Sequence, residues 1–108
     1  MLSSKLFQSS RVGNVTLGHR VVMAPLTRFR ANDEHVPSPL AAEYYSQRAS
    51  VPGTLLVSEA TLIAGKAGGF ANVPGIWNDE QIAGWKRVCV YHAVRFELLL
   101  TTKLCLCR

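Results

Sequence analysis

Residues 21–31, "VVMAPLTRFRA", begin as an unbroken apolar run and end abruptly in a proline, a hydroxyl and two arginines. Four consecutive apolar residues without alternation mark a strand buried on both faces, as in a parallel sheet. Val21 to Ala24 reads as such a strand. The design recurs in "TLLVSEATLI", residues 54–63, where an apolar strand over Thr54 to Val57 gives way to Ser58, Glu59 and Ala60. Between the two strands lies a charged loop, residues 28–37, and then Ser38-Pro39, a capping hydroxyl followed by proline at the first helical position. The spacing predicts a helix from Pro39 to about Ala49, with Leu40, Tyr44 and Tyr45 on one side, stopped by Pro52-Gly53.

Working outward, the preceding "RVGNVTLGHR" places Gly-Asn and Gly-His turn signals beside short β-branched runs. A hairpin is expected over residues 12–19, with Val15 to Leu17 as one arm. Downstream, "AGKAGGFANVPGIW", residues 64–77, is too rich in glycine for a helix and reads as a long, shaped loop of the kind that carries function. Asn78 or Asp79 can cap the next helix, whose buried stripe would be Ile82, Trp85 and Val88.

Strand, loop, helix repeated in order is β/α alternation, which implies right-handed crossovers and a parallel sheet. A doubly wound sheet would carry a G-x-G-x-x-G turn after its first strand, and "APLTRFRA" has no glycine. The fold class read from the sequence is α/β: the N-terminal portion of a TIM (β/α)8 barrel with an N-terminal β-hairpin, holding about two β/α units. A complete barrel takes about 250 residues, with its active site where strands end and βα loops begin. Pro25 to Thr27 and Ser58 to Ala60 fall at those strand ends.

Composition narrows the function. The chain has 108 residues, 48% hydrophobic and 18% charged, enough for one core and ordinary for a globular protein. Its net charge of +5 comes from 12 Lys and Arg spread along the chain, with only Arg28/Arg30 and Lys86/Arg87 close together. That pattern argues against a nucleic-acid surface, which concentrates its cations. The N-terminus lacks the apolar region of a secretory signal and no stretch is long and apolar enough to span a membrane, so a cytoplasmic protein without membrane partners is expected. Cys89, Cys105 and Cys107 are odd in number and match no zinc-site spacing, so neither a disulfide framework nor a metal is expected.

Four motifs, in order and at consistent spacing, carry a resemblance: "LFQSSRVGNVTLGHRVVMAPLTRFRA", "YYSQRAS", "GTLLVSEAT" and "GGFANVPGIWNDEQIAGWKRV". Together, over residues 5–88, they resemble the N-terminal part of the Old Yellow Enzyme family of FMN-dependent ene-reductases, its fungal branch above all. The resemblance implies FMN as cofactor, NADPH or NADH as hydride donor, and reduction of the C=C bond of α,β-unsaturated carbonyl compounds. It implies that Pro25 and Leu26 lie against the flavin ring, that Thr27 hydrogen-bonds near the flavin O4, that the backbone N–H of Ala60 bonds the ring, and that Phe70 stands at the substrate mouth. The family's substrate-gripping histidine pair, proton-donating tyrosine, ring glutamine and phosphate arginines have no counterpart in these 108 residues, so no catalytic residue is assigned here.

Other conspicuous residues read as structural. Tyr44 and Tyr45 are read as helix packing, Arg48 as a capping or ion-pairing group, Glu59 as a structural hydrogen-bonding group, and Trp77 and Trp85 as core or loop anchors. His19, His35 and His92 have no partner at a recognisable spacing.

The resemblance stops after "GWKRV". Residues 89–108, "CVYHAVRFELLLTTKLCLCR", read either as translated intron or frameshifted sequence or as a divergent helix over residues 89–100. Val88-Cys89 can be encoded by GTATGT, a fungal splice-donor sequence. Residues 1–88 are thus expected to be the first part of an FMN-dependent oxidoreductase barrel, inactive alone, with exposed strand edges that favour aggregation. The alternative is a small noncatalytic interaction protein.

Overall fold

The computed structural model describes residues 4–93, with side chains described through residue 89. Cys105-x-Cys107, the side chain of His92 and the reading of residues 94–108 lie outside what it describes.

The chain opens with a 3₁₀ turn at Lys5–Phe7 and an antiparallel hairpin of β1 (Ser10–Val12) and β2 (Val15–Leu17), in register Ser10 with Leu17 and Val12 with Val15. The second arm is the expected Val15 to Leu17, and the first begins at Ser10, two residues ahead of the predicted 12–19 span. Gly13 has φ +61 while Asn14 does not have a positive φ. This is the pattern of a II′ turn, in which glycine takes the first central position and matches the strand twist. Arg11 Nε donates to Gly13 O at 3.0 Å and closes the turn.

β3 (Val22–Met23) and β4 (Leu55–Leu56) pair in parallel, Val22 with Leu55 and Met23 with Leu56, and Val57 N extends the ladder to Met23 O at 3.0 Å. The parallel pairing and the crossover through a helix agree with the sequence. The strands are shorter than predicted, and the expectation of burial on both faces is corrected: Leu56 is buried, but Val21 and Val22 are 44% and 43% exposed. Among the described residues β4 is the strand that pairs with β3, and no strand pairs with its other edge.

The hairpin docks at the N-terminal end of the parallel pair. Gly18 N donates to Gly53 O at 3.0 Å and Arg20 N to Leu6 O at 2.8 Å. His19 takes Val21 N–H on Nδ1 (3.1 Å) and faces Thr54 Oγ1 with Nε2 (2.9 Å), while the Thr54 hydroxyl donates to Val51 O at 2.8 Å. This relay assigns the Nε2–H tautomer, because Nδ1 is occupied as an acceptor. At the same junction Gly53 has φ +72, and a Cβ there would press on the backbone N and Cα of Gly18. Gly53→Ala combines a disfavoured dihedral with a backbone clash and is expected to cost about 2 kcal/mol. The chemical-denaturation midpoint of a protein carrying residues 5–88 measures it, and an unchanged midpoint would refute the tight junction.

Helix α1 spans Pro39–Arg48 with Pro39 at its start, as predicted. Two details differ. Ser38 occupies the cap position, but its Oγ makes no capping bond and is buried without a partner among the described residues. The buried side is Ala41, Ala42 and Tyr45, whereas Leu40 is 54% exposed. Alanine wins this face because it lets α1 approach the chain's next helix closely, with larger side chains filling the space from that helix.

Helix α2 spans Asp79–Ala93. Asn78 Oδ1 accepts from Gln81 N at 2.9 Å and Gln81 Oε1 accepts from Trp77 N at 2.9 Å, a reciprocal arrangement akin to a capping box. Asp79 and Glu80 in the first turn suit the positive end of the helix dipole. Gln81, Gly84, Trp85, Val88 and Cys89 are buried, and Ile82 from the predicted stripe is only half-buried. The core is Ala41, Ala42 and Tyr45 against Trp85 and Val88, with Met23, Tyr44 and Ile76 packed on it. Trp85 is the core anchor expected of it, and its Nε1 donates to Gly75 O at 3.1 Å. No helix among the described residues is long and apolar enough to cross a membrane.

Candidate functional site

The site is built on the ends of β3 and β4. Since the strands are parallel, the segment after Met23, carrying Pro25, Leu26 and Thr27, leaves on the same side as the segment after Leu56, carrying Ser58, Glu59 and Ala60. Pro25, Leu26 and Ala60 are exposed there and Thr27 is half-buried. Among the described residues neither the Thr27 hydroxyl nor the Ala60 backbone N–H hydrogen-bonds to protein. The two donors are thus available to acceptors on a ligand at the strand ends.

Directly behind this surface lies Glu59, only 3% exposed. Its Oε2 accepts from Arg28 N at 3.1 Å, and its own N–H donates to the Tyr45 hydroxyl at 2.9 Å. Glu59 makes the hydrogen bonds expected of it, and Tyr45 is both core packing and its polar anchor. Burial pushes the Glu59 carboxyl above its ordinary value of 4.5, against the opposing pull of Arg28 N–H, the tyrosine and the Arg28 charge. Burial likewise pushes the Tyr45 phenol well up.

A raised carboxyl binds its proton more tightly in the folded state. Stability therefore falls as pH rises from 4.5 through the folded-state value and is flat outside that window. Glu59→Gln cannot titrate and is expected to lack this slope. Denaturation midpoints of both proteins between pH 4 and 8 measure the difference, and parallel profiles would contradict burial of the carboxyl.

The rim of the site is two loops zipped together. Ala31 N donates to Asn72 O at 3.1 Å, and Asn72 Nδ2 returns a bond to Ala31 O at 3.0 Å. Gly75 N donates to His35 O at 2.8 Å, His35 Nδ1 lies 2.6 Å from Val73 O, and Gln81 Nε2 donates to Glu34 O at 3.0 Å. Phe29, His35 and Asn72 hold positive φ of 55, 61 and 63°, a conformation that asparagine and histidine adopt more readily than phenylalanine. At the tip, Phe70 is 74% exposed and stands edge-on to Phe29 with centroids 6.2 Å apart. Leu62 pairs with Gly75 across the base of the glycine-rich loop, which otherwise contains a 3₁₀ turn at Gly65–Ala67.

Sequence reasoning named Pro25, Leu26, Thr27, Ala60 and Phe70 but missed the partners that frame them. Gln81 had a legible signal, the Asn-x-x-Gln spacing of a helix start. His35 and Asn72 had none, because their partners lie 38 and 41 residues away. Arg48 serves α1 itself: Nη1 donates to Tyr44 O at 3.1 Å, with the guanidinium 3.8 Å from the centre of the Tyr44 ring. Trp77 packs its ring on His35 at 5.5 Å. Among the described residues, no group of three or more His, Cys, Asp or Glu side chains is arranged to hold a metal ion.

Comparison with known proteins identifies the family. The model of the NADH:flavin oxidoreductase / NADH oxidase family matches residues 5–95. An NADP-dependent oxidoreductase, lnbE, of Aspergillus flavus is 64% identical over 87 residues, 81% of this chain and 23% of that protein. The chanoclavine-I aldehyde reductase fgaOx3 of Penicillium roqueforti is 60% identical over 79% of this chain and 23% of its own length. A probable inactive reductase, easA, of Epichloe festucae var. lolii is 57% identical over 82% of this chain and 23% of that protein. The Old Yellow Enzyme of a Pichia species superposes with a TM-score of 0.84 at 35% identity, over 89% of this chain and 25% of that one. The chain thus spans about a quarter of the length of the relatives it matches. The match over residues 5–95, together with the parallel β/α frame shared with that solved structure, places the chain in the NADH:flavin oxidoreductase / NADH oxidase family.

Proposed function

We propose that residues 5–88 form the flavin-ring side of an FMN-dependent ene-reductase, the first two β/α units of a (β/α)8 barrel. The observation that carries this reading is the pair of available donors, the Thr27 hydroxyl and the Ala60 N–H, on adjacent parallel strand ends. The exposed Pro25 and Leu26 give the ring an apolar backbone surface, and the small side chain of Ala60 lets its N–H be approached closely. Held against these strand ends, FMN would supply two-electron hydride chemistry between NADPH or NADH and the C=C bond of an α,β-unsaturated carbonyl compound. Thr27 donates a hydrogen bond that favours negative charge on the ring. Phe70 and Phe29 stand where a small-molecule substrate would enter.

A chimera tests this directly: residues 5–88 replace the corresponding segment of the Aspergillus flavus relative. Flavin binding with NADPH-dependent reduction of an enone is the expected result. A folded chimera without flavin would refute the proposal. Similarity to a protein described as probably inactive favours a second reading, a product without reductase activity. A chimera that binds FMN yet leaves enones unreduced selects it.

The donors proposed here among the described residues serve the ring, and the barrel's phosphate site belongs to the loops after its seventh and eighth strands. Purified alone, it is expected to hold no stoichiometric FMN. A yellow sample with one flavin per chain would overturn this.

A further inference from the structure

The parallel ladder that holds β3 beside β4 ends at the Val57 N–H to Met23 O bond. Beyond it the two strand-end segments diverge from sheet pairing, although both carry residues assigned to the flavin ring. Among the described residues, the hydrogen bond that joins segment 24–28 to segment 58–61 is Arg28 N to Glu59 Oε2. Arg28 directly follows Thr27 and Glu59 directly precedes Ala60. One buried carboxylate therefore fixes the residues next to both proposed ring donors.

Glu59 is in turn fixed from behind. Its N–H is held by the Tyr45 hydroxyl, and the Tyr45 ring, 1% exposed, is gripped between Tyr44 (5.3 Å) and Trp85 (6.3 Å) in the helical core. A rigid chain of contacts runs from the α1/α2 core through Tyr45 and Glu59 to Arg28, and so to Thr27. We infer that Glu59 is a positioning residue that sets the separation of Thr27 and Ala60, and with it the affinity of the flavin ring site. The inference rests on the proposed FMN role. A carboxylate suits this position because it offers acceptors, not donors, to the Arg28 N–H directed at it. Buried acceptors without donors would be costly, so the arrangement is self-selecting.

The chimera described above provides the test, through FMN titration and amide hydrogen exchange at Arg28. Glu59→Leu removes the acceptor and is expected to raise the FMN dissociation constant about tenfold, the scale of one lost charge-assisted bond at a ligand. Exchange at Arg28 should accelerate in the flavin-free protein. Glu59→Gln keeps one acceptor oxygen for Arg28 and should stay within about threefold of the parent dissociation constant. Thr27→Val should weaken flavin while leaving Arg28 exchange unchanged.

A purely structural Glu59 would lower the denaturation midpoint of the Leu variant and leave its FMN affinity at the parent value. That result, with Thr27→Val still weakening flavin, overturns the positioning role and spares the ring site. A parent chimera that folds without flavin overturns both. If Glu59→Leu does not fold, Tyr45→Phe decides: it deletes only the anchoring hydroxyl, and unchanged FMN affinity in that variant also overturns the inference.

Discussion

Replacing Trp85 with alanine is expected to destabilise a protein carrying residues 5–88 by about 4 kcal/mol, the range for deleting a fully buried large aromatic. Trp85 is 4% exposed and packs with Ala41, Ala42, Tyr45 and Val88, so its removal opens the centre of the α1/α2 interface. Alanines on the facing helix cannot extend to fill the space, which keeps the cavity term large. The variant also strands Gly75 O, the acceptor of the indole N–H. Trp77, half-buried against His35, makes the control: Trp77→Ala is expected to cost about 1–2 kcal/mol. Urea denaturation of the two chimeric variants measures the contrast, and equal costs would mean that Trp85 does not occupy the centre of the core.

Thr27→Val in the same chimera is the second large effect, and it falls on chemistry rather than folding. Valine matches threonine in shape but donates nothing. Loss of a hydrogen bond to a ring that gains negative charge on reduction is worth about 1.4 kcal/mol, which is about 30 mV for a two-electron couple. The potential of bound FMN is expected to fall by that amount, and flavin reduction by NADPH to slow about tenfold. Because Thr27 is half-buried and bonded to no described residue, folding stability should change little. A potential identical to the parent's would remove Thr27 from the ring site. A large drop in the denaturation midpoint would instead show that its hydroxyl serves the fold.

Local chemistry made much of the frame legible. Gly13 beside Asn14 marked the hairpin, Ser38-Pro39 marked the start of α1 to the residue, and the unalternating runs at residues 21–24 and 54–57 gave parallel strands in the correct order. What escaped was decided by partners distant in sequence. Leu40 looked like the better core residue by hydrophobicity, but the closeness of α2 rewarded Ala41 and Ala42. The Ser38 hydroxyl looked like a cap, yet propensity cannot foresee that it would be buried with no bond. Val21 and Val22 read as buried because their composition suits a covered strand, and their exposure reflects which neighbours flank β3.

The same division runs through the site. Strand-end position singled out the segments Pro25 to Thr27 and Ser58 to Ala60, since a parallel β/α sheet presents ligands to its carboxyl ends, and the family resemblance picked Thr27 and Ala60 within them. The bond between Arg28 and Glu59 spans 31 residues and has no periodic signature. The Ala31–Asn72 and His35–Val73 contacts that zip the rim are of the same kind, and Asn72 accepts a left-handed backbone in order to make them.

The most direct test of the central claim is the flavin content of the purified chimera, read from its visible absorbance against protein concentration. One FMN per polypeptide, lost or weakened by Thr27→Val, is the predicted result. A folded chimera that elutes colourless and takes up no added FMN would contradict the assignment of these strand ends to the flavin ring.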